Sequence, residues 1–237
     1  MANIITKHIP NTLTSCNLIS GCIAVYFAFA GCYEEALLFI VIGAVFDFFD
    51  GMSARLLNVS SPIGKELDSL ADDVTFGVAP SAMIFTVLYI HDYPSWLEPY
   101  REIIPFLAFV LAAFSAIRLA KFNLDERQTT SFIGVPTPAN ALFWGALIAG
   151  RGDLLNSSPW MVVMIIGMVF LCSYLLIAEF PLFALKFKHW GWIGNEVKYV
   201  FLITSIPILV LMGIAGISVV IMWYVVLAFI SNQFKLI

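Results

Sequence analysis

Residues 47–73, DFFDGMSARLLNVSSPIGKELDSLADD, gather six carboxylates in a chain of which only 12% of residues are charged. Asp47 and Asp50 are three apart, and at about 100° per residue they share a helical face with Ala54, with Gly51 beside them. Arg55 follows at the edge of that face. Gly64, Asp68 and Asp72 recur every four residues on the next segment. A short NVSSP turn can set the two stripes opposite each other, so that Asp47, Asp50, Asp68 and Asp72 converge on one small volume. Without cations that arrangement is untenable, because a single Asp at the centre of a membrane helix already costs on the order of 2.5–3.5 kcal/mol. Clustered carboxylate oxygens suit hard divalent ions, Mg²⁺ or Mn²⁺ first and Ca²⁺ also, and two such ions would offset four negative charges. Two metals a few Å apart activate an attacking oxygen and stabilise a leaving one across a phosphorus centre. Gly51, Ala54 and Gly64 clear space for a bulky polar ligand, and Arg55 offers a fork for phosphate. Glu66 and Asp73 fall off the stripes and read as solvated charges. Each fragment also has a plainer reading: a DxxD pair at a helix end is often a cap, and Gly51 with Ala54 is a common packing contact. The joint spacing of all eight positions sets this stretch apart from both.

The rest of the chain must position those residues. With 61% hydrophobic residues, 21 Phe and 6 Trp among 237, it does not describe a soluble domain. Apolar runs of about 20 residues recur, and strand-type alternation is absent, so the expected fold is all-α: a polytopic transmembrane helix bundle forming one domain over 1–237. Eight spans are expected, at 12–30, 35–57, 62–90, 102–124, 137–151, 159–181, 198–215 and 217–233, the last two joined by a tight GIAGI hairpin. Pro10, Pro62, Pro136 and Pro159 sit near proposed helix starts, and SSPIG reads as Ser61 at the N-cap with Pro62 at the first helical position. Pro80 should kink the third helix and free a carbonyl near Phe76. That carbonyl either contacts substrate or only marks the bend.

Orientation follows from the 12 basic residues. With both termini in the cytoplasm, ten of them (Lys7, Arg55, Lys65, Arg118, Lys121, Arg127, Lys186, Lys188, Lys198 and Lys235) fall on the inner side and only Arg101 and Arg151 on the outer. The acidic cluster then lies at the cytoplasmic end of helices two and three. Cys16, Cys22, Cys32 and Cys172 are scattered singly in apolar segments and read as small buried hydrophobes, with neither zinc nor a disulfide framework expected. The opening MANIITKHIPN lacks the features of a removable signal peptide, so the first span is expected to stay. No nucleic-acid partner is expected.

The string Asp47, Asp50, Gly51, Ala54, Arg55, Gly64, Asp68, Asp72 resembles the signature of the CDP-alcohol phosphotransferases, integral membrane enzymes of phospholipid synthesis. The resemblance implies transfer of a substituted phosphoryl group from a CDP-linked donor to an alcohol, with release of CMP. It implies two divalent ions held by the four aspartates, Asp72 as the base that deprotonates the acceptor hydroxyl, and a homodimer. Donor contacts would fall near Gly51, Ala54, Arg55 and Gly64. The flanks IPNTLTSCNLISG, DDVTFGVAPS and RLAKFN…FIGVPTPA are similar to the phosphatidylserine synthase branch, whose substrates are CDP-diacylglycerol and L-serine. Asn11, Thr14 and Asn17 share a helical face and either contact the nucleotide or make ordinary interhelical hydrogen bonds. Serine brings a carboxylate, for which Arg118, with Lys121 and Asn123, is the expected partner; the other reading of Arg118 is a headgroup-snorkelling anchor.

Two rivals remain. A sibling enzyme would use the same motif with glycerol 3-phosphate or inositol phosphate, but a phosphorylated acceptor calls for more basic residues than Arg118, Lys121 and Arg127. A cation transporter would place its carboxylates near the midplane, commonly within repeated halves. Here the acids lie at one end and no repeat is visible.

Overall fold

The computed structural model describes residues 4–59, 61–124, 132–183 and 190–234, without the side chains of residues 4–7, 132 and 133. Arg127, Lys186, Lys188 and Lys235 lie outside the described residues, as does the Lys7 side chain.

Helices α1 (Ile4–Phe29) and α2 (Tyr33–Leu57) form the first hairpin. α1 begins earlier than expected and carries Pro10 inside it. Glu34 and Glu35 in the first turn of α2 and Arg55 in its last turn complement the helix dipole. α2 closes in a Schellman motif. Asn58 adopts φ 51°, its N–H bonds the Arg55 carbonyl at 3.3 Å, and the Val59 N–H reaches the Ala54 carbonyl at 3.0 Å. Helix α3 (Pro62–Asp72) then starts as its sequence dictates, the Ser61 hydroxyl accepting the Gly64 N–H at 2.9 Å. Ser61→Ala should therefore cost about 1 kcal/mol, read as a lower melting temperature in detergent. An unchanged melting temperature would mean that packing alone fixes this turn.

Between α3 and α4 (Ala79–Ile90), residues Asp73–Val78 form a π-helical turn in which the Ala79 N–H bonds the Val74 carbonyl. Pro80 accounts for it. Proline has no N–H to give, and its ring crowds the carbonyl one turn earlier; a widened turn accommodates both. At the proline where the sequence leads one to expect a kink, the helix carries a widened turn.

A 3₁₀ segment (Ile104–Phe109) leads into α5 (Val110–Leu124), followed by α6 (Thr137–Leu155), α7 (Met161–Ile177), α8 (Glu196–Met212) and α9 (Ile214–Gln233). The eight expected helical segments are thus present with shifted ends. α6 runs on to Leu155 through a kink at Arg151 (φ −145°, ψ 38°). α7 stops at Ile177, because Ala178 turns extended and Pro181–Leu182 pair antiparallel with Phe132–Ile133. That two-residue ladder is too short to leave an alternation in the sequence. Among the described residues five segments are long and apolar enough to cross a membrane: His8–Phe29, Tyr33–Leu57, Pro62–Ile90, Ile104–Leu124 and Ile214–Gln233, with Met161–Ile177 apolar but shorter. The fold is an all-α membrane bundle.

Its core is built on small residues. Ala24, Ala28, Ala36, Ala79 and Ala82 are fully buried around Phe76 and Trp144. In lipid no hydrophobic effect draws helices together, so close backbone packing over such residues does that work. Large apolar side chains face outward, as with Ile203, Ile206, Val210 and Leu211 on α8. The four cysteines are free thiols, and none is fully buried, contrary to expectation: Cys16, Cys32 and Cys172 are half-buried and Cys22 is exposed.

Candidate active site

The last turns of α2 and the body of α3 bring the acids together. One oxygen from each of Asp47, Asp50 and Asp68 lies within 4.8 Å of the others. Asp72, one turn beyond Asp68, interacts electrostatically with Asp47 first, then Asp68 and Asp50. Asp50 and Asp72 are buried, and Asp47 and Asp68 partly so. Two of the four are held from α1: the Thr14 hydroxyl donates to Asp50 Oδ2 at 2.7 Å, and Asn17 Nδ2 donates to Asp72 Oδ1 at 3.0 Å. Asp68 Oδ1 is enclosed and has no hydrogen-bond partner. Among the described residues no basic side chain is ion-paired with any of the four. Buried carboxylates need pairing or coordination.

The donor set fits a divalent cation. Oxygens on opposite sides of a Mg²⁺ or Ca²⁺ ion stand about 4–5 Å apart, given bond lengths of about 2.0–2.6 Å. The 4.8 Å spread of three carboxylate oxygens is of that size, and the unpartnered Asp68 oxygen is an acceptor left for such an ion.

A cleft of about 230 Å³ opens beside the acids. Pro10, Asn11 and Thr14 line it from α1, Asp50, Gly51 and Ala54 from α2, and Gly64, Lys65 and Asp68 from α3, with Val59 and Ser61 at the turn. Gly64 is a point of close approach: a Cβ there would stand 2.9 Å from both Asn11 Oδ1 and Ser61 Oγ. The Arg55 side chain is exposed, with Nη1 3.5 Å from where a Gly51 Cβ would be. Asn17 lies below the cleft rather than in its wall.

On the other flank Arg118 of α5 is only 8% exposed. Its one hydrogen bond among the described residues is a long one, 3.5 Å from Nη1 to Thr137 Oγ1. The guanidinium lies over the Phe122 ring at 5.6 Å and interacts electrostatically with Asp72. Lys121 is exposed. Asn123 is engaged with α3, its Nδ2 donating to Ser69 Oγ at 2.7 Å and its carbonyl accepting from Lys65 Nζ at 2.7 Å.

Spacing alone misplaces Asp73. Glu66 is exposed as expected, but Asp73 is half-buried with Oδ1 enclosed beside the Ser115 hydroxyl. It faces α5: a Cβ on Gly77 would stand 2.6 Å from Asp73 Oδ1 and 2.9 Å from Ser115 Oγ. The π turn begins at Asp73, and α-helical angles no longer apply from there on. Lys65 and Thr75 also belong to the site without having been singled out. Thr75 is three residues after Asp72 and seven after Asp68, a spacing that could have marked it.

The stretch that builds this site is shared with known proteins. The chain is 39% identical over 132 residues to the CDP-diacylglycerol–serine O-phosphatidyltransferase of Bacillus subtilis (strain 168), covering 56% of this chain and 70% of that protein. Proteins of the same name from Helicobacter pylori (strain J99) and Saccharomyces cerevisiae are each 36% identical, over 135 and 138 residues. Those matches cover 56% and 54% of this chain, and 54% and 46% of the respective relatives, about half their length. The family described as CDP-alcohol phosphatidyltransferase matches residues 7–150, from α1 through most of α6, with every aspartate of the cluster inside. By that match over more than half its length, the chain belongs to the CDP-alcohol phosphatidyltransferase family.

Proposed function

We propose that this protein transfers the phosphatidyl group of CDP-diacylglycerol to the hydroxyl of L-serine, forming phosphatidylserine and CMP. The observation that carries the reading is the convergence of Asp47, Asp50 and Asp68, with Asp72 in electrostatic contact with all three, beside a cleft at one end of the α1–α3 group. The choice of serine is supported by the names of the relatives and by Arg118, a buried guanidinium with one long hydrogen bond among the described residues.

Asp47, Asp50, Asp68 and Asp72 would hold two divalent cations, which supply charge neutralisation for a diphosphate and for the leaving CMP when bound. The chain's own groups do the rest. Gly51, Ala54 and Gly64 leave the cleft wall bare enough for the nucleotide, with Asn11 and Thr14 offering polar contacts. Arg55 and Lys65 supply positive charge for phosphate oxygens at its rim. Arg118 pairs with the serine carboxylate, whose two oxygens match the guanidinium fork. Lys121, exposed one turn on, attracts the same carboxylate during approach. Asn123 anchors this end of α5 to α3. Asp72 takes the serine hydroxyl proton as the new O–P bond forms. The bond from that phosphorus to the CMP oxygen breaks, and CMP leaves as a stabilised anion without needing a general acid.

The lipid donor suits a site at a helix end, where its diphosphate sits at headgroup depth and its acyl chains stay in the bilayer. The ten-to-two split of basic residues supports a cytoplasmic-facing site with both termini inside. The homodimer rests on the family resemblance, and the single domain over 1–237 on reading the successive apolar spans as one bundle.

Purified protein in detergent with Mn²⁺ and CDP-diacylglycerol should release CMP on addition of L-serine and not of glycerol 3-phosphate. CMP release with glycerol 3-phosphate alone would overturn the acceptor while leaving the displacement chemistry in place.

A further inference from the structure

The group that holds Asp72 is itself held. Asn17 of α1 and Thr75 of the π turn are both fully buried. Asn17 Nδ2 donates to Asp72 Oδ1 at 3.0 Å, and Asn17 Oδ1 accepts from the Thr75 hydroxyl at 2.8 Å. The direction of both bonds follows from chemistry. An ionised carboxylate only accepts, so the amide must turn its NH₂ to Asp72; its oxygen then faces Thr75, which must donate. The same hydroxyl stands 3.1 Å from the Asn17 main-chain carbonyl, so its one proton is shared between two oxygens of a single residue.

Two glycines from different helices open the slot this pair fills. A methyl on Gly21 would overlap Thr75 Oγ1 and stand 2.9 Å from its Cα. A methyl on Gly43 would stand 2.6 Å from Thr75 Cγ2 and 2.9 Å from Asn17 Oδ1. Neither Asn17 nor Thr75 lines the cleft. Thr75 also lies on the same helical run as Asp72, so the two bonds close a loop from the carboxylate through α1 and back to the carboxylate's own helix.

We propose that Asn17 and Thr75 are positioning residues, a two-bond relay that ties Asp72 Oδ1 to α1 and so fixes the plane of the carboxylate that takes the acceptor proton. This rests on the reading of Asp72 as the base. A carboxylate free to rotate spends much of its time misaligned, and a fixed one keeps the proton-accepting oxygen in near-attack geometry. The relay gives Asn17 a role other than contact with the nucleotide, and the two roles differ in kinetics.

The test compares Thr75→Val, which keeps shape but loses the donor, with Thr75→Ser, which keeps the donor, and with Asn17→Leu. All are assayed as the full chain in detergent with Mn²⁺, CDP-diacylglycerol and serine. Thr75→Val and Asn17→Leu should lower kcat on the order of 10- to 100-fold, with KM for CDP-diacylglycerol within about twofold. Thr75→Ser should recover most of the loss. A raised KM for CDP-diacylglycerol at unchanged kcat would make Asn17 a nucleotide contact and overturn the relay. Equal damage from Ser and Val would reduce Thr75 to packing. If Thr75→Val does not fold, Gly43→Ala carries the test: it keeps every polar group but crowds Asn17 Oδ1, and an unchanged kcat there overturns the proposal. Asp72→Asn is run alongside. Normal turnover in that variant removes the base and the relay together, whereas an inactive Asp72→Asn beside unaffected Thr75→Val and Asn17→Leu removes the relay alone.

Discussion

Asp72→Asn should reduce serine-dependent CMP release by about 10³-fold or more, the upper part of the range for loss of a general base. Asparagine has nearly the shape of aspartate, and its amide oxygen can still accept from Asn17 Nδ2, so the α1–α3 contact at this point should survive. What disappears is the ability to take a proton. Binding of CDP-diacylglycerol should largely persist, because Asp47, Asp50 and Asp68 remain to hold a cation and the cleft is lined by Asp50, Asp68, Asn11, Thr14, Gly51, Ala54 and Gly64 and not by Asp72. The measurement is turnover together with direct binding of CDP-diacylglycerol to the variant. Near-normal turnover would remove Asp72 from the base role. Loss of binding along with turnover would make its main contribution donor or metal binding.

Asp68→Asn should have an opposite pair of effects. Stripped of divalent ions with EDTA, the parent protein holds four carboxylates together with no ion-paired cation among the described residues, and Asp68 Oδ1 lies enclosed without a partner. Removing one charge from that group relieves repulsion, so the metal-free variant should melt above the metal-free parent. Adding Mn²⁺ at about 100 times its Kd should stabilise the parent by about 2.7 kcal/mol. For a chain of this size that is about 5–10 °C in melting temperature. The variant should show little of that rise and little turnover. The parent should lose turnover in EDTA and regain it with Mn²⁺. A full Mn²⁺-dependent rise in Asp68→Asn would exclude Asp68 as a ligand, and EDTA-resistant turnover in the parent would end the divalent-ion reading.

Much of this site is legible along the chain because its signal is local. Asp47 and Asp50, and Gly64, Asp68 and Asp72, lie on two helices whose caps are written beside them, at Asn58, Ser61 and Pro62. Once both helices are known, 3.6-residue periodicity puts each set on one face. Asp73 marks where that reasoning stops. A π turn forced by a proline seven residues downstream turns it inward against α5, and no α-helical angle anticipates this. Arg118 is an intermediate case: its residue type raises the right question, but its burial, its long hydrogen bond to Thr137 and its electrostatic interaction with Asp72 depend on how α5 and α6 dock.

By itself, then, the sequence determined that this is a helical membrane protein with one acidic face on each of two consecutive helices, because apolar run length, caps and periodicity act within a few turns of chain. The tertiary structure decided what those faces meet. Thr14 is paired with Asp50, Asn17 with Asp72, and Thr75 with Asn17 because α1 packs against α2 and the π turn at Gly21 and Gly43, where the absence of side chains lets the helices approach. Periodicity states the angle of a residue about its own helix axis. The depth and rotation of one helix against another come from close packing between distant segments, and from those come the partners that ready a carboxylate for chemistry.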